Sequence, residues 1–77
     1  MKKLSQLKKG EHGVIVSIRE GEIFQVLLEM GIIPGEKVAV SRIAPLGDPM
    51  SIRINGSILS LRKEEAAAIL VEEADLN

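Results

Sequence analysis

Hydrophobic residues recur with helical spacing in only one stretch of the chain. They stand at positions i, i+3, i+4 and i+7, which places them on one side of a helix. These residues are Ile23, Val26, Leu27 and Met30. Gly31 follows them, and glycine is typical of the left-handed residue just after a helix C-terminus. The pattern predicts an amphipathic helix over residues 23–30 that ends at Gly31.

The residues after Gly31 carry the signals of a sharp chain reversal. Ile32 is expected to fold back onto Leu27, a contact that often accompanies a glycine cap. Ile33-Pro34-Gly35-Glu36 has proline at its second and glycine at its third position, as in a type II turn. The sequence therefore predicts a helix end, a tight turn and a strand in quick succession.

Alternation of apolar and polar residues indicates β-strands elsewhere. The predicted strands cover residues 14–18, 36–44, 50–54, 57–61 and 69–71. In the first strand, Val14, Val16 and Ile18 are predicted to share one face. In the second strand the apolar residues change face, because Val38 and Val40 share one face but Ile43 falls on the opposite face. A β-bulge near Ser41 would return Ile43 to the apolar face.

A hairpin is predicted at Asn55-Gly56, since this dipeptide favours a two-residue type I′ turn. Such a turn fixes the register of the two flanking strands. The predicted cross-strand pairs are Ile52 with Leu59, Met50 with Leu61, Ser51 with Ser60 and Arg53 with Ile58. A slip of one residue would mix the apolar and polar faces, so the turn and the pattern specify the same pairing.

The predicted fold is mostly β. Residues 62–68 are predicted to form a helical turn before the last strand, and an acidic tail, residues 72–77 or from about residue 73, is expected to fray. Five strands in one domain of residues 1–77 cannot leave long open edges without a risk of aggregation. We therefore expect a small, five-stranded, mostly antiparallel and partly closed barrel, with one short helix after the first strand.

Composition argues against catalysis. The 77 residues include no Cys and no Tyr, and His12 is the only histidine. A Ser/His/Asp or Cys/His arrangement would therefore depend on one side chain. A metal site could be assembled only from His12 and Glu11 with an oxygen of Asp48 or Glu36. These residues lack the spacing of a four-ligand site. We expect a protein that is not an enzyme, with no cofactor and no tight Fe²⁺ or Zn²⁺ site, and with at most weak binding of transition metal ions.

Neither nucleic acid nor a membrane is a predicted partner. Phe24 is the only aromatic residue and the net charge is −1, whereas small nucleic-acid-binding barrels combine a basic groove with stacking aromatics. Lysines do cluster near the N-terminus, at Lys2, Lys3, Lys8 and Lys9. No apolar run approaches the ~18 residues of a membrane span, so a cytoplasmic location is expected.

Protein recognition is the function that remains. Phe24 and Leu28 lie away from the predicted helical stripe, and they either widen the core face or form an exposed patch. Leu46 lies in a loop with two prolines, where it either plugs the barrel or contacts a partner at a reduced entropic cost. The candidate partner-binding residues are Phe24, Leu28, Pro45, Leu46, Gly47, Asp48 and Pro49.

The chain resembles the FeoA family, small SH3-like proteins that accompany the bacterial ferrous iron transporter FeoB. The resemblance rests on Met-Gly-Ile-Ile-Pro-Gly at residues 30–35 and Ala-Pro-Leu-Gly-Asp-Pro at residues 44–49. Residues 4–10 and 59–62 extend it over nearly the whole chain. It implies an SH3-like barrel and a cytoplasmic accessory protein that contacts FeoB, at its cytoplasmic nucleotide-binding part, without catalysis.

Two alternatives to this function stay open. The same fold forms the C-terminal, metal-sensing or regulatory domain of DtxR-type repressors. A sequence that starts at Met1 leaves no room for a DNA-binding domain, so that interpretation would require a fragment. The other alternative is a small nucleic-acid-binding barrel. The sequence does not indicate the oligomeric state.

Overall fold

The computed structural model describes residues 1–74 of the chain, and the predicted tail residues 75–77 lie outside the described residues. The secondary-structure elements, in chain order, are β1 (Lys2–Lys3), a 3₁₀ turn (Leu4–Gln6), β2 (His12–Ile18), α1 (Glu22–Glu29), β3 (Lys37–Ile43), β4 (Met50–Ile54), β5 (Ser57–Leu61), α2 (Lys63–Ala67) and β6 (Ile69–Ala74). The strands form one antiparallel sheet in the order β1-β6-β2-β3-β4-β5. The prediction of a mostly β, partly closed barrel is confirmed.

The sheet has six strands among the described residues, one more than predicted. The extra strand, β1, is two residues long, too short for any alternation to reveal it. β6 continues to Ala74, so the predicted fraying is wrong for residues 72–74. These residues pair with residues 12–14 of β2, and Lys2 Nζ lies 2.8 Å from Glu73 Oε1. Backbone pairing therefore keeps an acidic, exposed segment in the sheet.

The predicted cap at the end of α1 is confirmed in detail. Gly31 has φ = 94°, and its N–H donates to the Leu28 carbonyl at 3.0 Å. The Ile32 N–H donates to the Leu27 carbonyl at 3.0 Å, which completes a Schellman motif. Leu27 and Ile32 are both fully buried in the same core. The end of the helix is thus fixed by both backbone and side-chain contacts.

The predicted apolar stripe of α1 is wrong at one position. Val26 is 46 % exposed, whereas Phe24 and Leu28 are half-buried and pack against the core. The cap places Leu27 at the centre of the buried side. Phe24 lies one turn before Leu27 on that side, and Val26 is turned about 100° away from it. The helix therefore has a wide core face, displaced from the predicted one.

Two β-bulges adjust which residues face the core. The bulge predicted near Ser41 is confirmed, because the β3–β4 register shifts between Val40 and Arg42. A second shift, between Ile15 and Ser17 in β2, was not predicted. Ile15 faces the core, Val16 is exposed, and the extra residue returns Ile18 to the buried side. The prediction that Val14, Val16 and Ile18 share one face is therefore wrong, because the bulge puts Ile18 on the buried side and Val16 on the exposed side.

The predicted hairpin is confirmed in both turn and register. All four predicted cross-strand pairs of β4 and β5 are present. Asn55 has φ = 50° and Gly56 has φ = 78°, as both central residues of a type I′ turn require.

Replacing Gly56 with valine tests this turn. A β-branched side chain resists positive φ, so Gly56→Val should lower the free energy of unfolding by about 1 kcal/mol or more. Asn55→Gly is the control and should have a much smaller effect, because glycine adopts the same φ without strain. Thermal or denaturant unfolding measures both. Equal stability of Gly56→Val and the parent chain would contradict the turn assignment.

Candidate functional site

The loop between β3 and β4, residues 44–49, is closed by hydrogen bonds at its base. The Ala44 N–H donates to the Pro49 carbonyl at 3.0 Å, and the Gly47 N–H donates to the Ala44 carbonyl at 2.7 Å. Gly47 has φ = 87°, and the Asp48–Pro49 peptide bond is cis. The backbone of this loop is therefore held in one shape by its own contacts.

Asp48 ties the loop to the start of α2, which follows the neighbouring strand β5. Its Oδ1 accepts a hydrogen bond of 3.0 Å from the backbone N–H of Lys63, the first residue of α2. This bond satisfies one of the N–H groups that a helix leaves free at its N-terminus. The charge of Asp48 also lies favourably at the positive end of α2. Asp48 is thus a structural anchor of the loop rather than a free carboxylate.

Leu46 lies at the most accessible part of this loop. Its side chain is 94 % exposed, so the alternative in which Leu46 plugs the barrel is wrong. The barrel interior is already filled by residues of the strands and of the helix cap. The structure presents an apolar side chain to solvent on a loop that is anchored at three points.

The end of α1 lies beside the loop. Asp48 and Pro49 line a cleft of about 690 Å³ together with Met30, Ser60 and residues of α2 and its cap. The sequence pattern assigned Met30 to the core only. The predicted hairpin register, extended past the pair of Met50 and Leu61, places Asp48 opposite Lys63, but the hydrogen bond between them was not predicted.

Phe24 and Leu28, the other predicted partner-binding residues, belong to the core-facing side of α1. Both are half-buried against the core, which agrees with the alternative of a wide core face. The part of α1 that the structure exposes most is instead occupied by Glu22, Gln25, Val26 and Glu29. Phe24 and Leu28 can offer a partner only their remaining exposed edges.

Within residues 1–74, no three His, Asp or Glu side chains come close enough to hold a metal ion. His12 is exposed on β2, and Asp48 is engaged with Lys63 on another part of the surface. The absence of a tight iron or zinc site remains a prediction. In the same part of the chain, no helix is long and apolar enough to cross a bilayer.

Comparison with known proteins assigns the fold to a family. Residues 2–73 match the sequence family described as FeoA domain. The chain belongs to the FeoA family. A curated relative, the Fe(2+) transport protein A/Fe(2+) transporter FeoB fusion protein of Porphyromonas gingivalis, is 42 % identical over 71 residues. The matched residues cover 91 % of this chain but only 8 % of the relative, so the chain spans a small part of that protein. The family is thereby linked to ferrous iron transport.

Solved structures support the same assignment. The FeoA-like protein of Clostridium acetobutylicum superposes with a TM-score of 0.92 at 32 % identity, over 99 % of this chain and 90 % of that one. FeoA of Stenotrophomonas maltophilia, described as a prokaryotic SH3 domain protein complexed with zinc, gives 0.82 at 26 % identity, over 94 % and 91 %. The predicted SH3-like fold is confirmed.

A more distant structural relative bears on one alternative. A manganese-dependent transcriptional repressor gives a TM-score of 0.86 at 19 % identity, over 95 % of this chain and 41 % of that one. At this identity the likeness establishes a shared fold and nothing about function. The fold is common to FeoA proteins and to a domain of such repressors.

Removing the carboxylate of Asp48 tests whether it anchors the loop. Asp48→Ala should lower the free energy of unfolding by about 1 kcal/mol, because the Lys63 N–H loses its acceptor. It should also speed amide hydrogen exchange at Lys63 and Gly47. Asp48→Asn retains an oxygen acceptor and should lose less stability. If both variants match the parent chain in stability and exchange, Asp48 is not an anchor.

Proposed function

We propose that this chain is a non-catalytic, cytoplasmic accessory protein of ferrous iron uptake that acts by binding the cytoplasmic part of a FeoB-like transporter. The fusion protein of Porphyromonas gingivalis supports this proposal, because it carries FeoA and FeoB in one polypeptide. Fusion holds two domains at a high effective concentration, an arrangement that favours a contact between them. For a chain separate from its transporter, the same contact would have to form between two molecules.

The observation that carries the proposal is the exposure of Leu46 on an anchored loop. Burying a leucine side chain fully stabilises a protein or complex by about 1.5–3 kcal/mol relative to leaving it exposed. Leu46 is 94 % exposed in the free protein, so almost all of this stabilisation is still available on binding. The loop is already ordered by the bonds at Ala44, Gly47 and Asp48. Binding through Leu46 would therefore lose little conformational entropy.

We place the centre of the recognition surface at residues 45–49. The neighbouring cleft extends this surface to Met30 at the end of α1, and it offers Arg62 and Glu65 for polar contacts at the rim. Phe24 and Leu28 would contribute only at the margin, through the edges that the core leaves exposed. Such an arrangement, an apolar centre with polar groups around it, is typical of protein interfaces.

Replacing Leu46 with glutamate tests the proposed contact. Because Leu46 is outside the core, Leu46→Glu should leave the melting temperature close to that of the parent chain. Binding to the purified cytoplasmic domain of a FeoB-like transporter should weaken by about 2 kcal/mol or more, since a charge would be desolvated at the centre of the interface. Isothermal titration calorimetry or biolayer interferometry measures the affinity.

Val16→Glu is the matched control, because Val16 is a 42 % exposed apolar residue in β2 and the substitution adds the same charge. It should leave binding unchanged. A folded Leu46→Glu variant that binds at full strength would remove the loop from the interface. No binding by the parent chain itself would contradict the proposed function.

A further inference from the structure

A second surface lies at the opposite end of the β3–β4 pair. It is an open cleft of about 390 Å³ between β2, the first residues of β3 and the Asn55-Gly56 turn. The loop that carries Leu46 joins the other ends of β3 and β4. Since β3 is seven residues long, the two surfaces are separated by roughly 20 Å. One partner group cannot fill both.

The strand register explains why a cleft forms here. His12 on β2 lies opposite Ala39 on β3, and Ala39 lies opposite Arg53 on β4. Two long side chains therefore flank a methyl group in one cross-strand row, with roughly 10 Å between the outer Cα atoms. Lys37, two residues from Ala39, lies on the same face opposite Val14. The result is a groove along β3 with His12 and Val14 on one side and Arg53 on the other.

Two cationic side chains, Lys37 and Arg53, lie on the face of the sheet that forms the groove, and one acidic residue, Glu72, lies at its edge opposite Val14. Lys37 and Arg53 are exposed, and neither forms an ion pair with any carboxylate of residues 1–74. The acidic residues of the neighbouring strand β6 have other partners. Glu72 Oε2 lies 3.8 Å from the N-terminal ammonium group, and Glu73 accepts a hydrogen bond from Lys2, which raises the pKa of Lys2. Lys37 and Arg53 therefore outnumber the one carboxylate at the edge of the groove, and neither is paired with it.

We infer that this groove binds an extended, acidic segment of a partner protein. Arg53 stands on one wall of the open groove and Lys37 on its floor, two residues further along β3, so successive carboxylates of an extended chain can each reach a cation. Val14, Ala39 and Ala74 also line the groove and supply small apolar contacts. The Asn55 side chain at the end of the groove adds an amide that can donate to a peptide carbonyl. The groove therefore matches a segment in which acidic and small residues alternate.

A single-stranded nucleic acid is the competing polyanion, and the groove suits it poorly. Proteins that bind single strands stack the bases on aromatic side chains. The only aromatic residue, Phe24, is half-buried against the core on α1 and does not line the groove. A peptide needs no such platform, because its carboxylates pair directly with lysine and arginine.

This site goes beyond the proposed contact at Leu46 and does not depend on it. The test uses the full chain labelled with ¹⁵N. An end-blocked synthetic peptide of alternating Glu and Ala is titrated into it, and NMR spectra report the chemical shifts of the backbone amides. Saturable chemical-shift changes are expected at the amides of Gly13, Ala39 and Gly56. The affinity should fall at high salt, because salt screens exposed charges. The neutral control peptide, in which Gln replaces Glu, should cause little change.

Two variants locate the binding. Arg53→Glu should weaken the affinity at least about tenfold, because it places a like charge in the groove. Arg42→Glu changes the net charge equally at the exposed far end of β3, and it should alter the affinity less than about twofold. Ala39→Leu leaves the charge unchanged and should block binding by filling the floor of the groove.

Three results would overturn the inference. The first is equal binding of the Glu and Gln peptides, which would show that charge is not recognised. The second is an Arg53→Glu variant that binds the acidic peptide as the parent chain does. The third is tighter binding of an oligothymidine than of the acidic peptide at these amides, which would assign the groove to nucleic acid.

Discussion

Two backbone hydrogen bonds join the turn after α1 to the middle of β2, and the placement of β3, and through it of β4 and β5, depends on them. The Gly35 N–H donates to the Ile15 carbonyl at 2.8 Å, and the Ile15 N–H donates to the Glu36 carbonyl at 2.9 Å. They form because the cap at Gly31 ends the helix and the turn closes between Ile33 and Glu36 at 3.1 Å. β3 must then start beside β2, and β4 and β5 follow it in antiparallel order.

This placement separates two surfaces of different chemistry on one small domain. The far end of β3 leads into the anchored loop with an exposed leucine, whereas its near end forms the groove with Lys37 and Arg53. The core between them is aliphatic and, within residues 1–74, contains no buried charged side chain. A rigid barrel with separate apolar and basic surfaces is suited to binding one partner at two places. Linked contacts of this kind can each be weak and still give useful avidity.

Local signals in the sequence predicted the features that local chemistry determines. Glycine at positive φ marked the end of α1 and the hairpin turn, and broken alternation marked the bulge near Ser41. The bulge at Val16 was missed because three consecutive β-branched residues fit either face of a strand. Leu46 was singled out from its loop, but its exposure depends on how fully the rest of the chain fills the barrel. The row through Ala39 depends on the pairing of strands that are distant in the sequence and was not predicted. The Asp48–Lys63 bond follows from the predicted hairpin register but was not recognised, because it joins a side chain to a backbone group beyond the strand ends.

Site-specific photo-cross-linking in membranes that contain a FeoB-like transporter tests the central claim most directly. A photoreactive amino acid at position 46 would probe the exposed tip of the loop, and the same residue at position 16 would probe an exposed apolar site elsewhere. The account predicts that position 46 cross-links to a peptide of the transporter's cytoplasmic part and that position 16 does not. Cross-links to that part from position 16 and none from position 46 would contradict it.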